Sequence, residues 1–524
     1  MGTLAVVNPR ACVRRFLFRS VPLLLLATGA AAAPADYFRI KVVDADTGRG
    51  VPLVELEMVN HLLFVTDSAG LIALNEPGLM NRKVFFSIRS HGYEFPTDGF
   101  GNAGRALDVK PGGSATLKLK RLNLAERLYR VTGQGIYRDS VLLGVKPPLT
   151  EPLLNAQVMG QDSVQTAVYR GKVFWFWGDT QRARYPLGQF QTSGATSELP
   201  GKGGLDPSVG VNLTYFTDAE GFSKRMVPFP EPGPIWIDGL VTVSDETGRE
   251  RLVAHYSRMK DLGHRLEHGL VMFNDDKSEF EKLVQFDPKD EWRCPRAHSV
   301  RGRGDAARYF YFAAPFANVR VPATLAAIKD PARYEAFTCL ALGSKSADKM
   351  SKLDRDSAGR IQWSWRKDAE PLDEPEERTL VTAGKLSFAD ARLQLRDPDG
   401  AKAVAIHSSS INWNSFRQKW ILIGQQIYGG PSFGGEIWYA EADDVTGPWA
   451  SPRKIVTHDR YTFYNPAHHA FFDQQDGRLI YFEGTYTQEF SNHPVHTPRY
   501  DYNQIMYRLD LADPRLRLPA GARR

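Results

Sequence analysis

Cysteine is nearly missing from this chain. Only Cys12, Cys294 and Cys339 occur in 524 residues, and none has the paired Cys or His spacing of a structural zinc site. So few cysteines build no disulfide framework. Whether Cys294 and Cys339 pair is left open, because an oxidising compartment permits a bridge and spacing alone does not require it. The G-x-x-x-x-G-K-[ST] and H-E-x-x-H patterns are also missing. Nucleotide-phosphate and zincin chemistry therefore have no motif to stand on. Long helical periodicity is scarce, and no long Lys/Arg run follows the first residues.

Those first residues are the exception. Arg10, Arg14, Arg15 and Arg19 precede the short apolar run Val21–Ala27, and the small residues Ala31, Ala32 and Ala33 follow. This is the order of a secretory signal peptide, residues 1–33, with cleavage near Ala33. The run is short for a bilayer span, and Cys12 stands before it, so a lipid-attached cysteine is not indicated. The formal charge of +6 falls to about +2 once the four arginines leave, which removes the case for nucleic acid. The expectation is an exported protein, periplasmic or extracellular, with no integral membrane segment after cleavage. The oligomeric state is open.

What the chain has in quantity is short alternating segments with turn residues between them. Phe38–Val43, Leu53–Met58, Leu63–Thr66, Val84–Ile88 and Ala115–Leu119 alternate in polarity and break at Asp46-Thr47-Gly48 and Asp67-Ser68-Ala69-Gly70. They predict a small β-sandwich over residues 36–122. Asn123–Arg130 reads as a short linking helix.

From residue 133 to 512 five strand groups of roughly fifty residues recur, the size of a propeller blade. The first is Thr166–Tyr169, Lys172–Trp177 and Val211–Phe216. The second is Ile235–Val243, Leu252–Tyr256 and Gly269–Phe273. The third is His298–Val300, Tyr309–Ala313, Thr338–Leu342 and Gln362–Trp365. The fourth is Val404–Ser408, Trp420–Gln425 and Glu436–Ala440. The fifth is His469–Phe472, Leu479–Phe482 and Ile505–Leu509. Val321–Phe337 and Phe388–Leu395 are the best helix candidates. The expected fold is all-β, a small β-sandwich followed by a five-bladed β-propeller.

Polar residues open each group: Gln161-Asp162-Ser163, Trp236-Ile237-Asp238-Gly239, Arg296-Ala297-His298, the run His407–Asn414, and the run Tyr464–His469. Innermost propeller strands converge on one channel mouth, so five polar openings in register predict a polar pocket. Asp162 and Asp179 lie seventeen residues apart, and a hairpin at Arg170-Gly171 returns the chain to the end it left. Two carboxyls facing one mouth suit glycoside cleavage, which needs a proton donor and a base or nucleophile. Burial beside Trp175 and Trp177 raises the pKa of the less solvated acid. Asp162 and Asp179 are the lead catalytic residues, and Asp238, Glu436 and Glu483 stand in reserve. Gln161, Trp177, Arg296, His298, Asn412, Asn465 and His469 are candidate substrate-binding residues, and Trp236, Trp413 and Tyr464 candidate stacking rings. Each has a plainer role to set against this, as turn cap, core residue or ion-pair partner. Asp443 and Asp444 read as turn and surface residues, with room for a calcium ion; no other cofactor is expected.

Three resemblances follow from these residues. V-x-D-x-x-T-G-x-x-V-P-L from Val42, with T-D-S-x-G from Thr66, resembles the carboxypeptidase-regulatory type of prealbumin-like sandwich, usually an accessory module. Asp162 with the A-E-A-D-D-V-T-G-P-W run from Ala440 resembles the five-bladed propeller glycoside hydrolases of the arabinanase and xylosidase group. F-W-F-W-G-D-T from Phe174 is similar to the endo-D-arabinanase-like propellers, in which an upstream acid accompanies the G-D-T acid. The likeness spans Gly160 to Leu511 and implies hydrolysis of a carbohydrate by acidic residues. Two rival readings stay open: a non-catalytic glycan-binding propeller, and a polysaccharide lyase with His298 or His469 as base and Arg296 or Arg320 neutralising a uronate.

Overall fold

The computed structural model describes residues 36–313, 315–344, 352–398, 402–430 and 432–517. The expected signal segment lies outside them. No helix among the described residues is long and apolar enough to cross a membrane.

The first unit is a sandwich of two four-stranded sheets. Phe38–Asp44 pairs in parallel with Ser114–Arg121 and antiparallel with Leu71–Leu74. Glu55–Met58 and Arg82–Arg89 lead the facing sheet. Alternation sends one face of each strand inward. Ile40, Val42, Leu117 and Leu119 from one sheet meet Leu56, Phe86, Ile88 and Val109 from the other in one core.

Five blades follow. Their first strands are Gln165–Tyr169, Ile235–Ser244, His298–Arg301, Ala403–Asn414 and Thr462–His468. Consecutive first strands touch from the first blade to the fifth, so they form the inner ring. Thr166 Oγ1 lies 3.3 Å from His469 Nδ1, and Asn465 Nδ2 donates to Ser163 Oγ at 2.7 Å, joining the fifth blade to the first. Strands between blades are buried on both faces. In Lys172–Trp177, Trp175 and Trp177 pack toward Leu128, Phe472 and Tyr481, while Phe174 and Phe176 pack toward Ile235, Leu252 and Phe273.

The expected linking helix is instead a strand. Glu126–Arg130 pairs antiparallel with Asn503–Asp510 as the outer strand of the last blade, so the ring closes on its own beginning. Other elements also differ. The third strand of the first blade is Ser193–Glu198, and only Thr214–Tyr215 survives of the expected Val211–Phe216 strand. The fifth blade opens with Thr462–His468, and Ala470–Phe472 is a single 3-10 turn. In the third blade Ala317–Pro322 and Glu335–Thr338 are strands, and the helix expected over 321–337 shrinks to Leu325–Ile328 and the turn Pro331–Arg333. The longer helix is Glu374–Thr382, set by the Asp373 capping box and Pro375 in its first turn. Phe388–Leu395 is not helical. In each case tertiary pairing overrode a short local pattern.

The sandwich sits against the closing strand and the fifth blade. Arg127 Nε donates to Pro52 O at 3.0 Å and its Nη1 to His91 O at 3.1 Å. Tyr500 OH donates to Thr66 O at 2.8 Å. Cys294 and Cys339 are both buried free thiols.

Candidate active site

The site is built by one hairpin. Arg170 and Gly171 take φ 48° and 78°, the left-handed pair a tight two-residue turn requires. Gln165 then pairs with Phe176, and the chain end at Asp179 returns to Asp162. The Asp179 N–H donates to Asp162 Oδ1 at 2.7 Å, and the Gly178 N–H to Asp162 O at 2.8 Å. Gly178 is demanded by this approach: a Cβ there would collide with Asp162 Oδ1. Tyr464 OH donates to Asp162 Oδ2 at 2.7 Å, and Trp236 Nε1 to Asp179 Oδ1 at 2.9 Å. Tyr464 therefore holds a carboxyl, beyond the stacking role expected of it.

The two acids differ electrically. Burial raises the Asp162 pKa, but the bonds from Tyr464, the Asp179 N–H, Tyr502 and Ser163 all favour its ionised form. Asp179 is pushed up to about 7, first by burial and then by the Asp162 charge, and only Trp236 opposes. Asp162 stays raised overall, but four bonds oppose its shift and one opposes that of Asp179, so the shared proton favours Asp179 and the negative charge Asp162. Glu489, from the loop after Leu479–Thr487, adds a third nearby carboxyl, raised by burial and by Asp162.

Asp162 lines a cavity of about 790 Å³ at the channel mouth, with Trp236, Asp238, Arg296, His298, Ser408 and Asn465 on its wall. That size accommodates a sugar unit or two. Asp238 is pushed up to about 6 by burial, against the pull of Arg296 and Arg265, and Gln165 Nε2 lies 3.4 Å from its Oδ1. Burial, with a smaller push from His469, lowers the His298 imidazole to about 4 and keeps it neutral. Ser163 and Asn465, bonded to each other, take φ 52° and 49°. Non-glycine residues held in the left-handed region mark a mouth whose backbone is fixed by its surroundings.

Other expected site residues lie elsewhere. Gln161 is fully buried and spends its amide on Thr180, Ser193 and Tyr215. Trp177 is the exception: it touches the cavity wall, though it is buried and stacked on Trp175 at 6.3 Å. Glu436 is buried outside the channel, bonded to Thr457 Oγ1 at 2.5 Å and paired with Lys454 at 3.1 Å. Glu483 and His469 are sealed from solvent and bonded to each other at 3.0 Å. His469 therefore cannot reach a substrate as a base. Asn412 donates to His468 O at 3.2 Å, and Trp413 lies under Arg303 at 4.1 Å; both stand beyond the cavity, toward the far end of the fourth blade's inner strand. Arg320 is committed to Glu335 and sandwiched by Tyr309 and Trp365, which removes it from a uronate-binding role. Asp443 pairs with Lys419, and Asp444 caps its own turn at Thr446. Among the described residues no cluster of three His, Cys, Asp or Glu could hold a metal.

The residues that sequence reasoning missed are Glu489, Tyr502 and Arg265. Two come from the aperiodic stretch 488–502, where only the density of polar and aromatic residues was a signal.

No protein-family model matches the chain, and no curated protein matches it. Several solved structures resemble it, and those named here are glycan-cleaving enzymes. One is an exo-β-1,3-galactanase from Phanerochaete chrysosporium, at TM-score 0.35 and 9% identity over 74% of this chain; the chain spans 65% of that enzyme's length. Another is an exo-1,5-α-L-arabinanase from a bovine ruminal metagenomic library, at TM-score 0.33 and 12% identity over 68% of this chain and 94% of the other. A third is an α-L-arabinofuranosidase from Fusarium graminearum, at TM-score 0.32 and 8% identity over 74% and 99%.

Proposed function

We propose that this is an exported glycoside hydrolase in which Asp179 donates the proton and Asp162 is the ionised base or nucleophile. The observation that carries the reading is the coupled pair itself. Two carboxyls stand side by side, Asp162 in the cavity wall and favoured as anion by a hydroxyl and an amide, Asp179 next to it and bonded to the cavity's Trp236 with its pKa pushed up to about 7. Glycoside cleavage needs that division of labour. The Asp179 proton goes to the glycosidic oxygen as the C–O bond breaks. Asp162 takes a proton from the attacking water, or attacks the anomeric carbon itself and is released by water. Asp238, with Arg296 beside it, binds sugar hydroxyls on the opposite wall.

The test uses the full chain on a panel of arabinans, galactans and xylans, reading reducing-end release. Asp162→Asn and Asp179→Asn are each expected to lose at least about a hundredfold. Undiminished release by both ends the assignment. The lyase reading predicts an unsaturated, ultraviolet-absorbing product instead, and the binding-module reading predicts sugar affinity without release.

A further inference from the structure

The face around the mouth carries an unusual share of exposed aromatic side chains. In each antiparallel blade the second strand ends beside the start of the first, so the loop after it stands at the mouth. Arg258, near the end of Glu250–Asp261, pairs with Ile235. Ile427 pairs with Ala405, and Thr487 with Thr462.

These loops present apolar side chains to solvent. Tyr185 and Phe190, around the small hairpin after Asp179, are 87% and 66% exposed; Leu262 is 75%, Tyr428 70% and Phe490 62%. Phe433 lies against Tyr428 with ring centres 5.2 Å apart. Five of the eight exposed aromatic rings among the described residues therefore belong to this one face.

The rim is continuous with the acids. Phe490 meets Tyr464 edge-on at 6.1 Å, and Tyr464 holds Asp162. Trp236, half-exposed in the cavity wall, holds Asp179 on the other side. Exposed apolar rings gathered at a polar cavity mark a binding surface rather than ordinary solvent-facing side chains. Flat rings offer C–H-rich sugar faces a rigid contact at low entropic cost. The cavity has room for a sugar or two, and the rim extends past it across at least three blades.

We propose that this rim is a set of sugar-stacking subsites that engages a polymeric glycan on either side of the cavity. The protein would then bind chains far better than single sugars. The proposal rests on the glycoside-hydrolase reading for its ligand class and is read out by binding alone.

The experiment is affinity gel electrophoresis of the full chain in gels containing arabinan, galactan or xylan. Wild type, the triple variant Tyr185→Ala/Tyr428→Ala/Phe490→Ala, the single variant Phe490→Ala and Asp162→Asn are run together. The expected result is retardation of wild type by at least one polymer, retained by Asp162→Asn. The triple variant weakens it by about tenfold or more and Phe490→Ala by less. The mutated rings are solvent-exposed, and an unchanged melting curve checks that the variants are folded. Unchanged retardation of the triple variant overturns the proposal, as does no retardation of wild type in any polymer. If the rim fails while Asp162→Asn still loses glycan release, the hydrolase reading survives. If the rim holds and no polymer is cleaved, the hydrolase reading falls and the binding surface stands.

Discussion

Asp162→Asn is the most informative single substitution, because it separates the two causes acting on Asp179. Burial and the Asp162 charge both raise the Asp179 pKa. Asparagine keeps the shape of Asp162, keeps an oxygen to accept the Asp179 N–H, and leaves burial unchanged. The charge is lost, and the Tyr464 hydroxyl, which donated to Oδ2, accepts from the new amide instead. That amide bond of 2.7 Å holds the groups close. At a separation on the order of 5 Å and an effective dielectric of about 20, the repulsion is about 3 kcal/mol, or about two pH units. The Asp179 midpoint is therefore expected to fall from about 7 by one to two units. It stays above the ordinary aspartate value because burial, the larger cause, remains. Carboxyl carbon titration of isotope-labelled aspartates by NMR reads this directly and needs no substrate. A midpoint that stays put or rises in Asp162→Asn refutes the coupling, and with it the assignment of proton to Asp179 and charge to Asp162.

Two further predictions concern packing and pH. Gly178→Ala adds a methyl group against Asp162 Oδ1 at a backbone conformation alanine tolerates. Glycan release is expected to fall by about a hundredfold with the circular dichroism spectrum unchanged, since displacing a catalytic group by an ångström costs that much; full activity would show that Asp162 need not sit where it does. His458, buried and bonded to Tyr507 OH at 2.7 Å and Gly435 O at 3.0 Å, is lowered to about 3 by burial. The unfolded chain takes up its proton below about pH 6.5 and the folded chain does not, so this contribution is complete above that pH and is lost as pH falls toward 3. His458→Gln is expected to be less stable than wild type at about pH 7, with the deficit shrinking by about 2 kcal/mol at about pH 5. Urea unfolding at both pH values measures it, and a constant deficit would show that the folded protein takes up the His458 proton as readily as the unfolded chain.

Much of the fold was legible because it is local. Phe38–Val43 and Val84–Ile88 alternate, and the structure turns their apolar faces inward. The fifty-residue recurrence marked the blades because each blade repeats one packing problem, a strand group buried between two neighbours. The Glu126–Arg130 segment was not legible. Its partner, Asn503–Asp510, lies hundreds of residues away, and nothing local says that the ring closes there. Ala470–Phe472 read as strand because it is apolar, yet it is a single turn that buries only Phe472, against Trp175.

The site divides along the same line. The sequence by itself determined that Asp162 and Asp179 could meet, because a hairpin of known length joins them and Gly178 leaves room for the approach. It also determined the polar openings of the five strand groups. Only the tertiary structure decided which of those residues face the cavity. Glu436 borders, and Glu483 sits in, a strand as aromatic as the one beside Asp179, but inside the protein Lys454 pairs with the first and His469 bonds the second. Tyr464, Trp236 and Glu489 converge on the two aspartates from three different stretches of chain. Local pattern fixes which face a side chain takes along its own strand; the charge a carboxyl carries depends on what the rest of the ring places beside it.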